Sequence, residues 1–128
     1  MDPIKSKFSV QIHWQKKNRS EHFDLRILDP KKKFLWSWAM PKKRFPDYKE
    51  KVLALKTANH KISYMYFSGT LTNGDKVGLY DRGECTIIFY NQKFMIVKLD
   101  GVKVNGIYNF IKLINTDNSW LIMASKKM

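Results

Sequence analysis

His22-Phe23-Asp24-Leu25-Arg26 is the stretch on which the fold turns. In an extended strand, successive side chains point to opposite faces. His22, Asp24 and Arg26 then share one face, and Phe23, Leu25 and Ile27 the other. The apolar face suits a core. The polar face presents an imidazole, a carboxylate and a guanidinium in a row. An imidazole and a carboxylate at alternate positions can share one metal ion. A guanidinium one step further can hold a phosphate oxygen bidentately. For an isolated H-x-D-x-R, a solvated face with cross-strand ion pairs is the simpler reading, so the rest of the chain decides.

Working outward, residues 8–13 alternate Phe8, Val10 and Ile12 against Ser9, Gln11 and His13, which reads as a half-buried strand with His13 on its polar face. Residues 14–21 are polar and read as a connection. Asp29-Pro30 followed by three lysines signals a turn. Residues 34–40 form a third strand with Phe34, Trp36, Trp38 and Met40 on one side, stopped by Pro41. Asp47 and Glu50 have the spacing of a capping box, but a strand over residues 52–57 is the preferred reading. Further strands are expected over 62–67, 77–80, 85–90, 94–99, 104–114 and 120–124. Between them lie turns at Asn73-Gly74, Asp81-Arg82-Gly83, Asn91-Gln92 and Asp100-Gly101. Residues 126–128 are expected to fray. Short strands, frequent turns and little helix predict an all-β class, a compact antiparallel β-barrel of about eight strands. Residues 1–128 read as a single domain, without repeats or linkers.

Composition narrows the function. The chain has 128 residues with 44% hydrophobic content, including eight Phe, six Tyr and four Trp, enough for one core. The single cysteine, Cys85, excludes an intramolecular disulfide and reads as a buried structural thiol in a reducing compartment. No apolar run reads as a secretory leader or a membrane span, so the expected location is cytoplasmic, with the genome, and not secreted. Lys plus Arg number 24 against 11 Asp plus Glu, a net charge of +13. The lysines are spread along the chain, which predicts a basic folded surface attracted to polyanions, nucleic acid first.

Several segments, taken together and in order, resemble a known family. They are Phe8-Ser-Val-Gln-Ile-His13, His22-Phe-Asp-Leu-Arg26, Ser37-Trp-Ala-Met-Pro-Lys42, Asn59-His60, Tyr64, Tyr80-Asp-Arg-Gly83 and Trp120-Leu-Ile-Met123. The sequence is similar to the 3′-phosphoesterase domain of bacterial and archaeal DNA ligase D, over nearly its whole length and with no ligase or polymerase domain attached. The resemblance implies a β-barrel with a basic groove and one divalent metal, typically manganese, with zinc, cobalt or other divalent ions as alternatives. It implies trimming of DNA or RNA–DNA 3′ ends: removal of a terminal ribonucleoside as a diesterase, then of the 3′ phosphate as a monoesterase. Separate ligase, polymerase or Ku-like end-joining proteins are the implied partners. By position, His13, His22 and Asp24 would be metal ligands, Arg26 and His60 would hold the scissile phosphate, and Lys42 and Tyr64 would line the site. The sequence departs from the family's pattern in three places. The connection between His13 and His22 is longer, the basic residue expected near Val52 is displaced to Lys51, and the loop after Gly69 is shorter.

The chemistry also stands on the residues. Two imidazoles and a carboxylate make a mixed N/N/O site with coordination positions left for water and substrate. Arg26 offers positive charge to phosphate oxygens, and His60 can stay protonated beside a phosphate as a proton donor. No nucleophilic serine or cysteine motif is present, so water is the expected attacker. Two other readings compete. One is a non-catalytic, basic nucleic-acid-binding β-barrel. The other is a non-haem iron(II) oxygenase using His/Asp/His as a facial triad. Trp36, Trp38 and Trp120 read as core, although one of them exposed in a basic groove would be a stacking platform for bases.

Overall fold

The computed structural model describes residues 1–125. Within them are nine strands: β1 (Ile4–Gln15), β2 (Ser20–Leu28), β3 (Leu35–Met40), β4 (Lys51–His60), β5 (Gly69–Thr70), β6 (Lys76–Tyr90), β7 (Phe94–Asp100), β8 (Asn105–Lys112) and β9 (Ser119–Ala124). The named strands pair antiparallel throughout. Their order β1-β2-β3-β4-β9-β8-β7-β6 returns on itself through a β1–β6 pairing, and β5 is added to β6. The sheet thus closes in a ring, which pairs edges that would otherwise be open. The one helical element among the described residues is a 3₁₀ turn at Ile62–Tyr64. The all-β, antiparallel class with little helix is the class expected. None of the described helices is long and apolar enough to cross a membrane. Residues 126–128, expected to fray, lie outside the described residues.

Alternation explains the core. Phe8 and Val10 of β1, Phe23, Leu25 and Ile27 of β2, Trp38 and Met40 of β3, and Val97, Phe110 and Ile122 further on all join one buried cluster. Cys85 joins it too, and burial pushes its thiol pKa up to about 12, which fits a structural role. Across the same strands, the opposite parity forms an outer face. There β1 and β2 set Ser9 beside Arg26, Gln11 beside Asp24 and His13 beside His22, and β3 adds Ser37 beside Arg26.

Three local expectations need correction. The connection expected at residues 14–21 shrinks to residues 16–19, because β1 and β2 stay paired as far as Gln15 and Ser20. Residues 62–67 are no strand: β3 and β4 already have their neighbours in the ring, and the segment folds across the outer face instead. Its turn is closed by Tyr64 N–H to Lys61 O at 2.9 Å and Met65 N–H to Ile62 O at 3.0 Å, with Met65 buried beneath. Asp81-Arg82-Gly83 is not a turn but the middle of β6, which runs unbroken from Lys76 to Tyr90 with an irregularity opposite Val10 and Gln11. Asp81 instead serves a turn elsewhere. Its Oδ1 accepts the N–H groups of Arg82 and Val102 at 2.9 and 3.1 Å, and its Oδ2 those of Lys103 and Val104 at 2.9 and 2.7 Å. The carboxylate thereby pins the β7–β8 turn. Gly83 is required beside it, since a Cβ there would lie 2.1 Å from the Asp100 carbonyl oxygen.

The Asp47–Glu50 pair makes a loop rather than opening a helix. Glu50 Oε1 accepts the Asp47 N–H at 3.0 Å, and β4 follows directly, as preferred. The Asn73-Gly74 turn sits where expected, between β5 and β6, with Gly74 at φ +92° and Leu71 N–H bonded to Asp75 O at 2.8 Å.

Candidate metal and phosphate site

The outer face of β1 and β2 gathers the polar residues of the opening stretch. His13 and His22 are cross-strand neighbours, their ring centroids 4.8 Å apart. Asp24 lies between them: its Oδ2 is 3.2 Å from His13 Nδ1 and its Oδ1 is 3.1 Å from His22 Nε2. Potential ligand atoms of these three residues all lie within 4.8 Å of one another. Burial alone would raise the Asp24 pKa, but hydrogen bonding from His22 and the charge of Arg26 outweigh it and hold the carboxyl below its usual range.

The ring of His13 is fixed from behind. Its Nε2 lies 2.8 Å from Oδ2 of Asp75. A carboxylate only accepts, so Nε2 carries the hydrogen. Asp75 is itself buried and held, its Oδ1 accepting the Lys16 N–H at 3.0 Å and its own N–H donating to Asn73 Oδ1 at 2.9 Å. In the neutral ring the lone pair of Nδ1 then faces a carboxylate oxygen at 3.2 Å. Two acceptors in contact are bridged only by a proton on Nδ1 or by a cation. The donor set therefore fits a divalent ion: two imidazole nitrogens and a carboxylate, with the carboxylate–histidine support typical behind a ligating histidine.

Arg26 adjoins this cluster and is 4% exposed. Its Nε donates to Gln11 Oε1 at 2.9 Å, its Nη2 lies 3.6 Å from Asp24 Oδ2, and its Nη1 is 3.2 Å from His60 Nδ1. Its Cζ stands 5.1 Å from the centroid of the Tyr64 ring, which in turn is 5.0 Å from Phe67 and stacked on it. Burial pulls the guanidinium pKa down while Asp24 supports it, and it remains a cation.

His60, at the end of β4, brings Nδ1 within 2.9 Å of Ala58 O and 3.2 Å of Ser37 Oγ. Burial, then the Arg26 charge, lowers its pKa. The site without phosphate therefore favours the neutral imidazole, and the protonated form expected of His60 is the one beside a bound phosphate. A bound phosphate would reverse part of that cost by adding negative charge. Burial raises the Tyr64 pKa, so its phenol stays protonated as a donor.

Five of the seven candidates, His13, His22, Asp24, Arg26 and His60, are joined by direct polar contacts, and Tyr64 packs on Arg26. Lys42 is exposed in the turn after β3, and no described contact joins it to the cluster. Lys51 is also exposed, paired with Met123 at the far end of β4, while Val52 enters the core.

Two residues escaped the sequence reading. Asp75 follows the Asn73-Gly74 turn, but nothing in the sequence says which strand that hairpin lies against. Gln11 was read only as polar-face alternation. It is fully buried, and its Nε2 donates to Tyr64 O at 3.0 Å and Phe67 O at 3.1 Å. That amide straps the 3₁₀ segment down over Arg26.

An antiparallel β-ring thus sets two histidines and an aspartate, a group that could hold a metal ion, beside a buried guanidinium that could hold a phosphate. Residues 11–112 match the DNA ligase D 3′-phosphoesterase domain family, and the chain belongs to that family. The match takes in every candidate site residue and ends before Trp120-Leu-Ile-Met123, so that part of the resemblance is left to the sequence alone. No curated protein matches the chain.

Proposed function

We propose that this phosphoesterase is metal-dependent and acts on DNA or RNA–DNA 3′ ends, both as a 3′-phosphomonoesterase and as a 3′-ribonucleoside phosphodiesterase, leaving a 3′ hydroxyl. The observation that carries the proposal is Asp24 held between His13 Nδ1 and His22 Nε2, with the Arg26 guanidinium alongside. These three ligands would hold one divalent ion, manganese being the first choice. When bound, such an ion polarises the ester and lowers the pKa of a coordinated water.

The chain's own residues supply the rest. Arg26 binds non-bridging phosphate oxygens, and Gln11 keeps it aimed. With His60 Nδ1–H turned to Ala58 O, Arg26 Nη1 is free for the substrate, and the imidazole, protonated beside the phosphate, passes a proton to the leaving oxygen. The Tyr64 phenol adds a hydrogen-bond donor, and Lys42 adds charge at longer range. Monoesterase activity is the stronger, because a 3′ phosphate needs only the cluster, Arg26 and His60. A terminal ribonucleoside also needs contacts beyond these groups, and the loop after Gly69, beside the β1–β6 pairing that carries His13, is shorter here than in the family's pattern. The natural setting is DNA end repair in company with ligase, polymerase or Ku-like end-joining functions.

The test uses 5′-labelled primer–templates ending in a 3′ phosphate or in one ribonucleotide, followed over time with manganese. Phosphate removal should be the faster, and His22→Ala should abolish both. Full activity of that variant would sink the ligand assignment. If neither end changes with any divalent metal, including aerobic iron(II), a binding-only role takes over.

A further inference from the structure

Trp36, Trp38, Tyr90 and Trp120 line a cleft of about 290 Å³ between β3, β4, β9 and the β6–β7 hairpin, on the side of the sheet away from the metal cluster. Trp38 and Trp120 form its back wall, edge to face with centroids 6.0 Å apart. Trp36 and Tyr90, both only partly buried, stand 5.5 Å apart. Lys56 closes one side, its Nζ 5.2 Å from the Trp38 ring and bonded to Thr57 O at 3.0 Å. The amide-bearing Gln92 lies at the rim.

We propose that this aromatic cleft receives an unpaired nucleobase close to the 3′ end being processed. The proposal rests on the nucleic-acid reading above and extends it. Aromatic faces stack on any base, which gives affinity without sequence preference. A neighbouring lysine suits the phosphate that every base carries with it. Position supports the same occupant. Trp36 and Trp38 flank Ser37, whose Oγ lies 3.2 Å from His60, so the cleft and the phosphate site use opposite faces of one strand. The stretch of β4 from Lys56 to His60 joins them over roughly 13 Å at the usual rise per residue. A strand with its terminal phosphate at Arg26 and His60 can therefore turn around the end of β4 and lay a splayed base against Trp36 and Tyr90. The bases of a fully paired end stay stacked in the duplex, so the cleft would favour frayed or single-stranded 3′ ends.

The experiment measures binding without turnover. A short single-stranded oligonucleotide with a 3′ hydroxyl is titrated in EDTA, with tryptophan fluorescence and anisotropy as readouts. The comparison strand is identical but abasic over its last few positions. The base-bearing strand should quench fluorescence and bind more tightly. Tyr90→Ala and Trp36→Leu should weaken it roughly five- to a hundred-fold while leaving the abasic strand unaffected. Equal affinity for the two strands in the wild-type protein overturns the proposal, and that comparison needs no variant to fold. The 3′-phosphatase assay is run in parallel. Activity without a base effect removes the cleft and leaves the function; a base effect without activity does the reverse.

Discussion

Asp75 governs which nitrogen of His13 faces Asp24. Its carboxylate holds Nε2–H at 2.8 Å and so turns the Nδ1 lone pair toward Asp24. The hydrogen bond to His13 and the Lys16 N–H keep its own carboxyl below the usual range. Asp75→Asn keeps the shape but can rotate an amide N–H toward Nε2, favouring the wrong tautomer. We expect manganese affinity to fall about ten- to a hundred-fold, measured by calorimetry, with little change in melting temperature. An unchanged affinity would show that His13 is oriented by something else. His22, Asp24 and Arg26 were legible in the sequence because one strand's alternation places them on one face. Asp75 was not, because it meets His13 across 62 residues of chain and no periodicity reports such a contact.

At the scale of elements, two side chains hold segments that strand pairing does not. Gln11 is the first. Gln11→Glu keeps an acceptor for Arg26 but removes both donors to the 3₁₀ segment, leaving Tyr64 O and Phe67 O without that amide. The cost should be about 1–3 kcal/mol, with faster amide exchange confined to residues 62–69. Unchanged exchange there would mean that Met65 packing alone anchors the segment. Asp81 is the second. Burial would raise its pKa, but four backbone N–H groups outweigh this and lower it. Its folded pKa thus lies below that of an unfolded aspartate. Its contribution to stability is complete above about pH 4 and is lost as pH falls through the depressed folded value. Asp81→Asn should therefore be clearly less stable than wild type at neutral pH, and the gap should narrow in acid. A gap constant from neutral pH down to pH 2 would contradict the clamp. The segment Asp81-Arg82-Gly83 looked like a turn because its residues are those turns use. They serve a turn indeed, but one in a neighbouring part of the sheet.

For the whole molecule, the net charge is +13, and among the described residues most lysines lie exposed on the folded surface. Affinity for a primer–template end should fall steeply and log-linearly with salt, with slight sequence preference. A flat salt response in a binding titration would contradict this. The class of fold was legible because strands and turns announce themselves through alternation and through Gly, Asn, Asp and Pro. Ring closure was not, because the pairing of β1 with β6 is a choice among edges that each strand's own pattern leaves open.

That late pairing has a kinetic consequence. The hairpin of β1 and β2 needs only a four-residue loop, residues 16–19, so His13, His22 and Asp24 can come together early in folding. Asp75 cannot join them until β6 docks, a contact with a much larger loop-closure cost and correspondingly slow formation. A nascent chain would thus display the three ligands before it owns the group that orients them. On the proposed reading of these three residues as metal ligands, tight, selective capture would mark the moment the ring shuts, and a loosely held, wrong ion would be the hazard of the time before it.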